Sequence, residues 1–214
     1  MRQKLFISVF FLLSYLFCSA QEEWALKVNK DSIKVFTKTV SESKIKAVKV
    51  ECILPSTLSQ ITAAILDIKT CDQWVYNTKS CVIIKQTSPS ELYYYSEVNV
   101  PWPVSNRDFI AHIIVKQDPK TKTVTVDGLN EPDMVTIKQN IVRVRHSLAK
   151  WVITPAGKGF IKVEYVLSVD PGGSIPVWLI NMFATKGPFE TFKRLKTHLK
   201  QPQYVTAHYP FIVD

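Results

Sequence analysis

The sequence predicts an α+β fold in which one antiparallel sheet of many strands is followed by a long C-terminal helix. Short segments that alternate apolar and polar residues recur along most of the chain, a pattern typical of strands with one buried face. A long stretch with helical periodicity, residues 177–199, follows the last of them. A run of strands before a helix, instead of regular alternation between the two, argues against a parallel α/β fold.

The strand-like segments begin near the N-terminus and are interrupted once by a short helix. Residues 32–40 and 44–54 alternate with period two and are joined by a turn at residues 41–43. After Pro55, apolar residues recur every three or four positions, which predicts a short helix that ends near residues 69–72. The remaining strand-like segments are residues 80–87, 91–98, 108–117, 123–129, 141–147, 150–154 and 160–169.

The final helix carries apolar residues at helical spacing and is interrupted by Gly187-Pro188. Proline lacks the backbone donor and strains the preceding turn, at a cost of roughly 3 kcal/mol in a helix interior. The sequence therefore predicts a kink between residues 178–183 and residues 189–199. Such a helix can lie across a curved sheet, and the space between the two is either filled by side chains or open to a ligand.

The first twenty residues have the pattern of a secretory signal peptide. Arg2 and Lys4 precede an apolar run at residues 5–17. The alternative is a membrane anchor, but this run is too short to span a bilayer comfortably. We expect cleavage after this segment and export to the periplasm or the extracellular space. Loss of the charges of Arg2 and Lys4 lowers the formal net charge from +9 to +7. One domain, residues 21–200, and a C-terminal tail, residues 201–214, remain.

Three cysteines follow the signal segment, and they allow two interpretations. Cys71 and Cys81 could form a disulfide in an oxidising compartment. Alternatively Cys52, Cys71 and Cys81 are all buried thiols, which we favour because free cysteine is among the most buried residue types. The cysteines and histidines have no spacing typical of a zinc site, and we expect neither a metal nor another cofactor.

Four segments, in their order and spacing, carry a family resemblance. They are ILDIKTCDQW at residues 65–74, PWPVSNRDF at residues 101–109, IVRVRHSLAKWVITP at residues 141–155 and VLSVDPGGSIPVWLINMFATKGPFETFKRLK at residues 166–196. The NRDF step and the DPGGSIP lead into the final helix are the most specific parts. Together these segments resemble the START family, the StAR-related lipid-transfer domains, in a secreted, bacterial type of member.

The resemblance implies a helix-grip fold of the START and Bet v 1-like kind, in which a curved antiparallel sheet wraps the C-terminal helix around an internal tunnel. It implies one hydrophobic ligand, such as a sterol, phospholipid or ceramide, bound for lipid transfer or sensing. The gate would be the C-terminal helix together with the loop at residues 130–140. Some sterol-binding members carry a buried acid–arginine pair, but the matching positions here are Tyr94 and Ile113. The Tyr94 hydroxyl is therefore expected to be the polar anchor instead.

Candidate ligand contacts follow from the positions of these motifs. Arg107 and Asp108 face opposite sides of a strand, so that one of them can point inward. A structural ion pair that fixes residues 100–106 at the tunnel mouth is the favoured alternative, because a buried charge needs a partner. The predicted ligand-binding residues are Tyr94, Trp102, Arg107, Asp108, His112, Met134, Arg143, Trp178, Met182 and Phe183.

Two sets of candidates have a structural alternative. Arg143 and Arg145 share one strand face, while Val142 and Val144 share the other. We favour the arginines outside; if they faced the tunnel, they would select a phosphate or carboxylate head group. A set of aromatic residues either lines the cavity or fills the core: Tyr93, Tyr94, Tyr95, Trp151, Phe160 and Tyr165.

We expect a lipid-binding protein that is not an enzyme, because no catalytic constellation is evident. One alternative is a cyclase or aromatase of the same superfamily, which needs Asp108, His112 or His146 inside the tunnel. Another is an interaction module of the cell envelope whose core is filled. The expected partners are a lipid or other hydrophobic small molecule and, transiently, a membrane surface. The chain is expected to be a monomer that binds no nucleic acid, because its basic residues are dispersed and no recognised motif is present.

Overall fold

One sheet of ten strands dominates the computed structural model of the protein, which describes residues 23–39 and 46–214. Its strands are β1 (Ala25–Lys30), β2 (Ile33–Thr39), β3 (Lys46–Pro55), β4 (Thr78–Ser88), β5 (Glu91–Val98), β6 (Arg107–Gln117), β7 (Val124–Asn130), β8 (Val142–Arg143), β9 (His146–Pro155) and β10 (Phe160–Asp170). They follow the order β1-β2-β3-β10-β9-β7-β6-β5-β4, and the neighbours in this path are antiparallel. Strand β8 lies off the path and pairs in parallel with β6.

The helices lie in two parts of the chain, after β3 and after β10. They are α1 (Leu58–Leu66), α2 (Cys71–Trp74), α3 (Val177–His198) and α4 (Pro202–Val205), with a 3-10 turn at Ile68–Thr70. Within the described ranges, no helix is both long and apolar enough to cross a membrane. The predicted fold class, an α+β fold with a curved antiparallel sheet and a long C-terminal helix, is confirmed.

Two strands differ from the sequence-based expectation. Strand β1 was not predicted, because nearly all its side chains are exposed and its alternation is therefore weak. It joins β2 through Asp31 and Ser32, which both have positive φ, 55° and 64°. The strand predicted at residues 141–147 divides into β8 and the start of β9. The predicted turn at residues 41–43 and the predicted signal peptide lie outside the described residues.

Helix α1 begins with a capping box. The Thr57 hydroxyl accepts a hydrogen bond from the backbone amide of Gln60, and the Gln60 side chain accepts one from the backbone amide of Thr57. These two bonds satisfy amides that have no partner within the helix. Eight of the nine residues of α1 are buried, so the helix closes one side of the sheet as part of the core.

Helix α3 corresponds to the helix predicted at residues 177–199. It continues through Gly187 and Pro188, and the predicted kink remains a prediction. Gly187 lies against Tyr76, since a β-carbon placed on it would be 3.5 Å from the tyrosine ring. The glycine therefore allows α3 to lie close to the segment that follows α2.

A disulfide joins α2 to β4. Cys71 and Cys81 are bonded, with their Cα atoms 6.5 Å apart. The favoured interpretation of three free thiols was therefore wrong, because the chain turns back after α2 and brings the two cysteines together. Cys52 is the free and buried cysteine among the described residues, and burial raises its pKa to about 12.

The C-terminal tail packs on the domain next to α1. Tyr204 is buried, its hydroxyl donates to Asp67 Oδ2 at 2.8 Å, and the same hydroxyl lies 2.9 Å from His198 Nε2. The backbone amide of Ser59 donates to Asp214 Oδ1 at 2.8 Å. These bonds tie the end of α3 and the tail to the helix that covers the sheet.

Candidate ligand-binding cavity

A cavity of about 350 Å³ lies between the inner face of the sheet and α3. Strands β3, β5, β6, β7, β9 and β10 form one wall, α3 forms the opposite wall, and the segment from α1 to Tyr76 closes a side. Most of the lining atoms belong to aliphatic and aromatic side chains. Arg107 is the one charged side chain among the lining residues of the described chain.

Alternation along β6 decides which of its side chains face this cavity. Arg107, Phe109, Ala111 and Ile113 line it, and the side chains between them lie on the outer face of the sheet. Asp108 and His112, two of the predicted ligand contacts, occupy these intervening positions and therefore point away from the cavity.

Small residues at adjacent positions leave room in the middle of the sheet. Gly128 pairs with Ile113 on one side and with Ala149 on the other. A β-carbon on Gly128 would lie 3.2 Å from the Ala149 β-carbon and 3.5 Å from Ile113 Cδ1. Together with Ala111, these residues keep open a space that larger side chains would occupy.

Aromatic rings close the inner end of the cavity. The Trp151 ring centroid lies 4.6 Å from that of Tyr165 and 5.2 Å from that of Phe192 on α3. Trp74 contacts Trp151 edge to face, with centroids 6.5 Å apart. These rings join the sheet, α2 and α3 at the point where α3 crosses the sheet.

Two tyrosine side chains, those of Tyr94 and Tyr165, line the cavity. Burial raises the pKa of Tyr94 to about 12. Burial also raises the pKa of Tyr165, and the nearby phenol of Tyr94 adds to that rise. Both side chains are therefore neutral at physiological pH, and both can donate a hydrogen bond.

Arg107 lies where the cavity opens toward the surface. It also lines a shallow depression formed by residues 103–105 and 173–176. Its side chain is 5% exposed and donates to the carbonyl oxygens of Ser105, Pro171 and Gly172, the last two at 3.3 and 3.1 Å. Burial lowers the pKa of this guanidinium, which has no carboxylate partner among the described residues. Arg107 thus ties the lead into α3 to β6.

Asp108 and Arg143 form a buried ion pair on the opposite side of β6. Arg143 Nε and Nη2 donate to the two carboxylate oxygens at 2.7 and 3.0 Å, and Asp108 raises the pKa of Arg143. Arg143 also donates to the backbone carbonyls of Pro132, Val135 and Thr136. The pair therefore holds the loop at residues 131–141 on the outer face of the sheet.

This arrangement places three of the predicted ligand-binding residues outside the cavity. Asp108 and Arg143 are engaged with each other, and Met134 belongs to a loop that contributes no residue to the cavity, although the structure describes that loop in full. Val144 lines the cavity and Arg145 forms an exposed pair with Asp133 at 3.0 Å. The arginines of this segment face outward, as favoured from the sequence.

His112 is also separated from the cavity. Its ring stacks on Tyr93 with centroids 4.0 Å apart, and its Nε2 lies 2.7 Å from Glu91 Oε1 on the outer face. His146 is exposed at the start of β9 and does not line the cavity either. The three residues named as acid–base candidates for a cyclase, Asp108, His112 and His146, therefore lie outside the cavity.

The remaining candidates lie on or near α3 and the loop before β6. Phe183 lines the cavity, whereas Met182 is partly buried outside it. Trp102 is 91% exposed and Trp178 is 59% exposed, and neither lines the cavity. Of the ten predicted contacts, the cavity thus contains Tyr94, Arg107 and Phe183.

Sequence reasoning missed several lining positions. From the aromatic set left open, Tyr94, Trp151 and Tyr165 line the cavity, and Tyr93, Tyr95 and Phe160 do not. Gly128 had a usable signal, because a glycine inside a strand often marks a close approach or a ligand. The small and aliphatic residues missed on the sheet and on α3 are Ala111, Gly128, Val144, Ala149, Leu167, Ile180 and Ala184.

Comparisons with known proteins found similar sequences and structures. A family model described as START domain matches residues 12–204. An uncharacterized protein of Pseudomonas aeruginosa is 29% identical over 182 residues, which cover 82% of this chain and 86% of that protein. The phosphatidylcholine transfer protein of Bos taurus is 28% identical over 170 residues, 77% of this chain and 78% of that protein. The solved STAR-related lipid transfer protein of Xanthomonas axonopodis has a TM-score of 0.76 and 29% identity, and the match covers 83% of this chain and 99% of that one.

Proposed function

Because this chain belongs to the START domain family, we propose that it binds one lipid-like molecule in the cavity beneath α3, for transfer or sensing, and that it catalyses no reaction. The observation that carries the proposal is the mostly apolar cavity of about 350 Å³, with Arg107 as its charged lining residue. Ligand pockets of proteins are typically about 300 to 1,000 Å³ and mostly apolar. A filled core, as in an interaction module, is disfavoured by the same volume.

The energetics suit exchange with a membrane. Each buried methylene contributes roughly 0.8 kcal/mol, so a chain of about twelve gains on the order of 10 kcal/mol relative to water. A bilayer offers nearly the same gain, so that moving the lipid between membrane and cavity is close to balanced. The rate should then depend on how easily the cavity opens.

We assign the gate to the start of α3. Ile180, Phe183 and Ala184 on its first turns form the wall opposite the sheet, and Arg107 holds the segment just before the helix through two carbonyls. The loop at residues 130–140, also expected to be part of the gate, is fastened outside by Arg143. Movement of α3 away from β6 would open the cavity without breaking the sheet.

The same end of the molecule presents exposed apolar side chains. Trp102, Val177 and Trp178 lie in the two segments that flank the depression at Arg107, and they are 91%, 70% and 59% exposed. Tryptophan is enriched at membrane–water interfaces because its ring is amphipathic. These residues support transient contact of the cavity mouth with a membrane surface. We propose that the protein makes this contact as a monomer.

We also propose that the protein is exported, because its first twenty residues, which lie outside the described part, have the pattern of a signal peptide. The Cys71–Cys81 disulfide supports it, because such bonds persist in oxidising compartments such as the periplasm and the extracellular space. The mass of the protein recovered from outside the cytoplasm tests both points. A chain that keeps residues 1–20 and stays in the cytoplasm would contradict them.

Native mass spectrometry tests the binding function itself. Delipidated protein is incubated with a total lipid extract, separated from free lipid and weighed intact. One added lipid mass per chain, released on unfolding, is the expected result. If no lipid of any class is retained, the proposal is wrong.

A further inference from the structure

Arg107 and Ile175 line both the cavity and the shallow depression at its mouth. The two spaces therefore adjoin at these side chains. The cavity wall on one side is mostly apolar, whereas Ser105 and Ser174 line the depression on the other. A molecule that passes between Arg107 and Ile175 would hold an apolar chain in the cavity and a polar end in the depression.

The guanidinium of Arg107 has hydrogen-bond donors left over. An arginine side chain carries five N–H groups. Its Nε, Nη1 and Nη2 each donate once here, to the carbonyl oxygens of Pro171, Ser105 and Gly172 respectively. One N–H of Nη1 and one of Nη2 therefore have no acceptor among the described residues. Buried donors usually have a partner, because an unpaired one costs free energy.

Space is open beside this guanidinium on the side of the depression. A β-carbon placed on Gly173, which has a φ of 63°, would lie 3.6 Å from Arg107 Nη2. Apart from the adjacent residues of the chain, its other neighbour within 4 Å would be Val142 Cγ1, at 4.0 Å. Because Gly173 has no side chain, a ligand atom can approach Nη2 there.

The charge of Arg107 is not balanced by a nearby acid. The side chain is 5% exposed, and no acidic residue lines the cavity or the depression within the described part of the chain. A carboxylate or phosphate oxygen is a stronger acceptor for a guanidinium than a carbonyl oxygen. The N-terminus of α3 also borders the depression, at Pro176, and a helix dipole favours negative charge at that end.

We infer that the ligand is an anionic lipid, whose carboxylate or phosphate oxygens accept hydrogen bonds from Arg107 in the depression while its apolar chain lies in the cavity. This inference rests on the proposed function and narrows it to one substrate class. Arg107 then both holds the segment before α3 and selects the ligand.

Four probes with the same twelve-carbon chain and different polar ends test the inference. They are dodecanoate, dodecyl phosphate, 1-dodecanol and dodecyltrimethylammonium, each in competition with a fluorescent apolar dye bound to the delipidated protein at pH 8. We expect both anionic probes to bind about tenfold or more tightly than 1-dodecanol, because hydrogen bonds to charged groups are the stronger ones. Dodecyltrimethylammonium should bind most weakly. The relative affinities of the two anionic probes tell whether the site prefers a carboxylate or a phosphate.

Three variants, each of which lowers the net charge by one, locate the selectivity. Arg107→Gln should reduce the preference for dodecanoate over 1-dodecanol to less than about twofold. Ser174→Asp places a competing carboxylate in the depression at an exposed position, and should reduce the same preference while Arg107 stays in place. Arg145→Gln is the matched control and should leave the preference unchanged, because Arg145 pairs with Asp133 outside the cavity.

The ratio of the two affinities is the readout, because a loosened α3 would affect both probes alike. Thermal melting checks the fold of each variant, and Ser174→Asp provides the test if Arg107→Gln does not fold. If an uncharged or cationic probe binds as tightly as the anionic ones, the inference is wrong and the proposed function stands. The same holds if the preference survives in Arg107→Gln and Ser174→Asp, or falls equally in Arg145→Gln. If no probe binds, the inference is wrong, and if no lipid is retained from the extract either, the proposed function is wrong as well.

Discussion

Replacing Asp108 with asparagine would break the buried ion pair that holds the loop at residues 131–141 on the sheet. The side chains of Asp108 and Arg143 are 0% and 2% exposed. Asparagine keeps the shape of the aspartate, but the guanidinium is left buried without a counter-ion. Removing one partner of such a pair costs about 3 to 5 kcal/mol. That is a large part of the roughly 5 to 15 kcal/mol that separates a folded domain from its unfolded chain.

Urea denaturation followed by tryptophan fluorescence measures this change in the free energy of unfolding. Asp133→Asn is the matched control, because Asp133 pairs with Arg145 at a similar distance, 3.0 Å, with both side chains largely exposed. Such surface pairs contribute about 0 to 1 kcal/mol. Adding Arg143→Met to Asp108→Asn removes the unpaired charge as well, and should restore part of the lost stability.

Limited proteolysis provides a second measurement. Arg143 holds the loop through the carbonyls of Pro132, Val135 and Thr136. In the Asp108→Asn variant, Arg143 loses its carboxylate partner, and the loop should become more susceptible to cleavage. If Asp108→Asn and Asp133→Asn both change the free energy of unfolding by less than about 1 kcal/mol, the buried pair does not hold the loop as described.

Three further perturbations test the cavity, the disulfide and the mouth. Ala149→Phe should fill much of the cavity and lower lipid retention at least tenfold, while Leu148→Phe, the neighbouring outward position, should not; equal retention would contradict the assigned cavity. Cys71→Ser frees Cys81 from a loop with a separation of 10 residues. The midpoint of urea unfolding should fall by an amount equivalent to about 2.7 kcal/mol of loop entropy, and a reductant should reproduce the effect on the unaltered protein only. Trp102→Ala should weaken sedimentation with anionic vesicles several-fold and leave lipid retention in solution unchanged; unaltered sedimentation would remove Trp102 from the membrane contact.

Local pattern accounted for the elements whose signals are contained in a few neighbouring residues. Strand periodicity located most of the sheet, and the cap at Thr57 agrees with the predicted start of α1. Alternation also predicted correctly that Arg107 and Asp108 face opposite sides of the strand. It did not predict which of the two faces the cavity. Strand β1 was missed because its side chains are mostly exposed, which leaves little periodicity to detect.

The ligand contacts were harder to predict, because a side chain can be placed on a face only once its strand has found its neighbours. His112 and Met134 were reasonable candidates, yet strand pairing puts His112 on the outer face, and Arg143 holds the loop of Met134 outside the cavity. The cavity itself arises where Gly128 meets Ala149 and Ile113 across three strands. No short stretch of sequence contains that meeting.

The amino acid sequence by itself determined the class of fold, the order of most of its elements and the family, because these depend on local periodicity, turn residues and motif spacing. Only the tertiary structure decided that Cys71 bonds to Cys81, that Asp108 pairs with Arg143, and that Tyr94 and Tyr165 share one cavity. Each of these depends on distances between residues far apart in the chain. Such distances are set by strand register and helix packing, which act through many weak contacts at once.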